Sequence, residues 1–192
     1  DSNRFIMGSG KNTIITIPNG NSATFNVVEN TTRTSPGNVN ITLRDFVLDG
    51  NKTNVSGVND GINIFYFTNG VNISNVESNN FTSDGFWIRG YEFSNTTIIS
   101  ENVARNNNEH GIYASDIYEK LIVTNNQTES NGTYGIAVRY AYDGAVVSGN
   151  SARNEAVGIQ LYDTANLSLS DNGVYSSSDY GYNIFNSANI TV

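Results

Sequence analysis

The sequence has no cysteine, two prolines, one histidine, one tryptophan and one methionine, and only 10 lysines and arginines against 18 aspartates and glutamates. Without cysteine there is neither disulfide stapling nor thiol chemistry. The shortage of cations, with a net charge of −8, excludes a nucleic-acid binder, because phosphate neutralisation needs clustered Lys and Arg. It argues equally against electrostatic docking on anionic lipid or on strongly acidic polysaccharide. No apolar run approaches the roughly 18 residues that a membrane-spanning helix requires, so no membrane insertion is expected.

What the chain has instead is Asn, 32 of them, with 20 Ser, 18 Gly and 17 Thr. Such a composition alone would read as loops, but 38% of residues are hydrophobic, and Ile and Val fall in short regular runs. A packed β-rich core is therefore affordable. A chain of 192 residues supports one core and a single domain. The start at Asp1, without a basic-then-apolar leader, fits a mature secreted protein or an excised piece, so an extracellular or cell-surface location is expected. Asn-x-Ser/Thr occurs at Asn30, Asn40, Asn51, Asn54, Asn72, Asn80, Asn95, Asn126, Asn131, Asn166 and Asn189. Composition alone predicts roughly 6 such sites, which makes these residues candidates for N-glycosylation.

The organising signal is a repeat. A glycine opens each of six similar segments, "NDGINIF", "SDGFWIR", "EHGIYAS", "TYGIAVR", "AVGIQLY" and "DYGYNIF", at Gly61, Gly85, Gly111, Gly135, Gly158 and Gly181. Residues one and three after each glycine are apolar, from Ile62 and Ile64 to Tyr182 and Ile184, while residues two and four face the other way, as strand alternation requires. A second β-rich run follows in each repeat. Next come two Asn columns: Asn75, Asn102, Asn126, Asn150 and Asn172, then Asn80, Asn107, Asn131 and Asn154 with Ser177. Stacked Asn side chains form amide ladders, and Asn tolerates the left-handed turns between strands. No segment carries helical periodicity. The expectation is an all-β solenoid of about 6–7 coils with ~24 residues per coil and in-register parallel strands. Residues 1–37 are expected as an N-terminal cap or lead-in region and 38–192 as the coils.

This repeat, N-x4-N-x3-G-I-x-aliphatic followed by a second strand, resembles the pectin-lyase-like right-handed parallel β-helix superfamily, especially the repeats shared by carbohydrate-binding proteins and sugar hydrolases. The resemblance covers roughly residues 38–192. It implies the right-handed fold, and it admits lyases, hydrolases, epimerases and non-catalytic surface proteins.

In-register stacking turns each repeat position into a column. Just before each glycine lie Asp60, Asp84, His110, Tyr134, Val157 and Tyr180. Carboxylates on adjacent coils sit close enough for one to hold its proton more tightly, and paired carboxylates serve glycoside hydrolysis. By analogy with the superfamily, Asp60, Asp84 and His110 are the candidate acid/base residues. Trp87, Arg89, Tyr113, Tyr134, Arg139 and Tyr162 are candidates for sugar stacking or for an interface. Against catalysis, the basic motif of polygalacturonases is reduced to Arg89 and Arg139, the Asp-Pro-His-Glu signature of epimerases is absent, and the loops between coils are short. "VLDGNKTN" (47–54) hints at a Ca2+ loop but lacks its spacing and closing Glu, so no cofactor or metal is expected. The chain stops at "NSANITV" inside a strand, which exposes an edge. The reading favoured by these features is a secreted surface or filament protein that assembles end to end, non-catalytic, with itself as partner. The alternative is a polysaccharide-binding or polysaccharide-degrading module.

Overall fold

Apolar residues at alternate positions after each glycine can be buried only if every strand turns the same face inward. In the computed structural model the pairs of the first five segments do so, while Tyr182 and Ile184 of the sixth are exposed. The structure describes residues 2–30, 38–65, 68–90 and 95–192, and contains no helix among them. One face is a seven-stranded parallel sheet of Val28–Glu29, Ile62–Phe65, Phe86–Arg89, Ile112–Ser115, Tyr134–Arg139, Val157–Tyr162 and Tyr180–Phe185. The long strands Asn38–Asp49 and Thr68–Asn79 each run across two further faces. Their first halves lead to Thr97–Ser100, Leu121–Thr124, Val146–Ser148, Ala165–Ser170 and Ala188–Thr191; their second halves lead to Val103–Arg105, Gln127–Glu129, Ser151–Arg153 and Gly173–Tyr175.

All these pairs are parallel and in register, for example Phe86↔Ile112, Ile112↔Ile136 and Ile136↔Ile159. From Ile62 onward five turns carry a strand on all three faces, a sixth opens at the short Val28–Glu29, and Tyr180–Phe185 with Ala188–Thr191 add two faces of another, close to the 6–7 coils expected. The solenoid also begins before residue 38. Ser2–Met7 and Ile14–Thr16 pair in parallel with Asn38–Asp49, so the stack of strands extends into the expected cap or lead-in region. Phe5 and Met7 there are exposed, which is why no inward alternation announces it. Residues 31–37 of the expected cap lie outside the described residues.

The core is a stack of identical positions. Ile62, Phe86, Ile112, Ile136 and Ile159 are each 0% exposed. Burying one such side chain contributes about 1.5–3 kcal/mol. The glycines preceding them leave room for the close approach of the neighbouring turn. A Cβ on Gly111 would lie 2.6 Å from the carbonyl oxygen of Gly135 and 2.9 Å from Asn131 Nδ2.

Two amide ladders run along the solenoid; the second, through Asn131, is the one that approaches Gly111, and the first is built on Asn102. Asn102, Asn126 and Asn150 are buried, and each accepts with its side-chain oxygen the backbone N–H of the turn before: Val76 to Asn102 at 3.0 Å, Asn102 to Asn126 at 3.0 Å, Asn126 to Asn150 at 2.9 Å. Asn172 closes the series. Asn75, expected in this column, is one residue early. It is exposed, has φ 52°, and bonds to Asp45. The second column is likewise a merger of two. Asn80 and Asn154 occupy left-handed corners, with φ of 60° and 56°. The ladder itself runs Phe81, Asn107, Asn131, Glu155, so a carboxyl stands where an amide was expected.

The ladders also revise the sequon reading. Asn126 and Asn131 are buried, with their Nδ2 groups donating to Ile99 O and Ala104 O, and buried Asn30 donates to Phe65 O. Those three nitrogens are inaccessible to a glycan in the folded chain. Asn40, Asn54, Asn72, Asn95, Asn166 and Asn189 are exposed; Asn51 and Asn80 are half-buried.

Candidate functional site

The outer surface of the seven-stranded face gathers the candidates, because parallel register repeats each outward position about every 4.8 Å. In the column before the glycines each acid turns back on its own stack. Asp84 N–H donates to Asp60 Oδ1 at 3.1 Å, and His110 N–H donates to Asp84 Oδ1 at 2.9 Å. The His110 ring then meets the same oxygen, with Nδ1 2.6 Å from Asp84 Oδ1. A carboxylate at that distance accepts from Nδ1–H, which leaves Nε2 to take or give a proton.

Asp84 is 3% exposed and Asp60 5%, so the pair is shielded on its inner side. Burial pushes the Asp60 carboxyl above its usual range. Hydrogen bonds from Ser83, the Asp84 amide and Asn63 pull it back, and the charge of Asp84 adds slightly to the rise. The sequence expectation that neighbouring charge would dominate therefore yields to desolvation. Asn63 Nδ2 fixes Asp60 Oδ2 at 2.7 Å.

Aromatic rings surround the histidine. Tyr134 stacks on His110 with centroids 5.0 Å apart, and Tyr113 lies tilted at 5.0 Å. Trp87 meets Tyr113 edge-on at 6.1 Å and Phe65 at 4.8 Å. On the other side the Arg139 guanidinium lies over Tyr113, Tyr134 and Tyr162, at 5.3, 5.3 and 5.5 Å. Arg89 occupies the same column as Arg139, two turns away. Its Nε donates to Asp116 Oδ2 at 2.8 Å. The expected residues Asp60, Asp84, His110, Trp87, Arg89, Tyr113, Tyr134, Arg139 and Tyr162 are thus all on one surface, with direct contact between Asp84 and His110.

Several participants were not singled out in the sequence. Gln160 holds Arg139, Asp116 holds Arg89, and Glu109 lies beside His110, 4.0 Å from its Nδ1. Column positions would have found Gln160. Asp116 and Glu109 sit at corners where acidic residues are ordinary. Among the described residues, Asp84, Glu109 and His110 place three potential metal-ligand atoms within 4.8 Å of one another. One histidine nitrogen and two carboxylates suit a divalent ion of borderline character, but here Nδ1 is committed to Asp84.

The arrangement provides a histidine polarised by a buried acid, aromatic rings able to stack on sugars, and two arginines. Residues 119–192 match the family model described as a right handed beta helix region. No curated protein matches the sequence. Among solved structures, the A-module of mannuronan C-5 epimerase AlgE4 from Azotobacter vinelandii superposes with a TM-score of 0.65 at 20% identity, over 96% of this chain and 58% of that one. The A-module of the epimerase AlgE6 from the same organism gives 0.54 at 17% identity, over 90% and 61%. The chain therefore spans less than two thirds of either neighbour. The fold is the right-handed parallel β-helix that the repeat implied.

Proposed function

We propose that this chain is the β-helical part of a polysaccharide-acting protein, with the outer surface of the seven-stranded face as its glycan site and Asp84–His110 as its proton-transfer pair. The observation that carries the reading is the 2.6 Å contact between a buried carboxylate and the chain's one histidine, set among Trp87, Tyr113 and Tyr134. Fold neighbours named as polysaccharide epimerase modules support this reading over the end-to-end filament that the sequence favoured. The reaction class that suits the pair is removal of a proton from a sugar carbon adjacent to a carboxylate. His110 Nε2 takes the proton, its charge is balanced by Asp84 through Nδ1–H, and the electron pair left on carbon spreads into the sugar carboxylate. Return of a proton on the opposite side inverts the carbon. Departure of the neighbouring glycosidic oxygen with the electron pair, protonated on leaving, cleaves the chain instead.

The test is to incubate the protein with mannuronan in D2O and follow solvent deuterium at the sugar carbon by NMR, alongside absorbance from unsaturated ends. Deuterium incorporation that drops on the order of 100-fold in Asp84→Asn would support the assignment. Incorporation equal in wild type and Asp84→Asn would remove the pair from the chemistry. No exchange and no binding of any polysaccharide would remove the proposal.

A further inference from the structure

Resting on that reading of the face, a charge imbalance along one column says which glycans it prefers. Arg89 and Arg139 occupy equivalent positions, four residues after their glycines. The first is matched by a carboxylate, Asp116, at 2.8 Å, so the pair is close to neutral. The second is held by an amide. Arg139 Nε and Nη2 both donate to Gln160 Oε1, at 2.9 and 2.7 Å, and Gln160 is 4% exposed. The clamp fixes the guanidinium without cancelling its charge.

The surroundings strengthen that charge. Three tyrosine rings at 5.3–5.5 Å replace part of the cation's water, and half-burial of Arg139 removes more. Nε–H and one Nη2–H serve Gln160, leaving three of the five guanidinium N–H groups for a ligand. A planar fork of donors on a partly desolvated cation matches a carboxylate in preference to a hydroxyl. On a chain of net charge −8, such a site is a local exception to the general repulsion of acidic polymers.

We infer that Arg139 is an anion subsite for the carboxylate of an acidic sugar, and that Gln160 is the specificity-determining residue that keeps its charge available. Gln160→Glu tests this with almost no change of shape, since it turns the neutral clamp into a second matched pair like Arg89–Asp116. The probes are mannuronan oligosaccharides and a neutral β-1,4-mannan of similar length, with binding measured calorimetrically at two salt concentrations.

Wild type is expected to prefer the acidic probe, more so at low salt. Gln160→Glu should bind that probe about tenfold more weakly, the loss of roughly one charge-assisted contact, with a flatter salt dependence and unchanged affinity for the mannan. Arg139→Gln should show the same selective loss, and it supplies the answer if Gln160→Glu proves unfolded by its thermal midpoint. Undiminished mannuronan affinity in the folded variants, or equal losses for both probes, overturns the inference while leaving the glycan face intact. Wild-type protein that binds neither probe overturns the broader reading and this one with it.

Discussion

Replacing Glu155 by Gln should stabilise the protein at alkaline pH and have little effect in acid. Glu155 is 2% exposed and interrupts an amide ladder: Oε2 accepts the Asn131 N–H at 2.7 Å and Oε1 accepts Asn131 Nδ2 at 3.0 Å. Burial raises its pKa from 4.5 to about 7. The hydrogen bonds from Asn131 and the nearness of the Thr128 hydroxyl oppose the rise, and the Glu129 charge adds to it. Among the described residues the Thr128 hydroxyl itself has no partner of good geometry. Because the folded chain holds the proton more tightly than the unfolded one, the protonated form is the stabilised form. Stability is fully present below pH 4.5 and is lost as pH rises to about 7, where it levels off. A shift of that size amounts to about 3 kcal/mol. Glutamine keeps the shape and cannot ionise. Its oxygen can accept from Asn131 as Asn131 accepts from Asn107. Its amide hydrogens can donate to a backbone carbonyl, as those of Asn131 do to Ala104. For a chain of this length the gain in thermal midpoint at pH 8 should be roughly 6–12 °C, falling towards zero at pH 4.5. The assay is calorimetric unfolding of both proteins across that range. The raised carboxyl of Asp60 is common to both and cancels in the difference. A difference that does not vary with pH, or a variant less stable than wild type at pH 8, would refute the reasoning.

Gly111→Ala should destabilise by about 1–3 kcal/mol in denaturant titration, because the added carbon meets a backbone carbonyl at 2.6 Å that cannot move without shifting the next strand. Asn126→Leu should lose about 2–4 kcal/mol by the same measurement, since it strands the Asn102 N–H and the Ile99 carbonyl, both of which Asn126 satisfies; a smaller loss would show that water enters the ladder. Expressed in a glycosylating host, the protein should carry no glycan at Asn30, Asn126 or Asn131, checked by glycopeptide mass spectrometry, and full occupancy at Asn126 would contradict its burial.

The six glycine-led segments were legible because two independent periods coincide there, strand alternation and the ~24-residue repeat. The amide ladders were legible as Asn-rich columns but not to the residue. Left-handed corners and ladder positions are adjacent, and both accept Asn, as at Asn106–Asn107 and Asn125–Asn126, where the first of each pair has positive φ and the second is buried. Glu155 was hidden by the same logic, since a carboxyl offers the accepting oxygens the column needs without matching its amide pattern. Column arithmetic put Asp84 and His110 on successive turns. It could not show that the imidazole rotates back onto the acid below it, or that Arg89 takes a corner carboxylate while Arg139 takes an amide. Those outcomes depend on side-chain rotation rather than on strand register.

The ladder has a consequence for how such chains can change length over evolutionary time. Each turn offers side-chain oxygens to the N–H groups of the turn before and receives the same service from the turn after, as Asn102, Asn126 and Asn150 do in succession. A duplicated turn placed between two others therefore finds both of its partners waiting. A single inserted residue between glycine and ladder moves every later side chain out of its stack. Viable insertions and deletions should come in whole multiples of the repeat, or as excursions confined to the outer corners, so lineages descended from this sequence would differ in height far more readily than in girth.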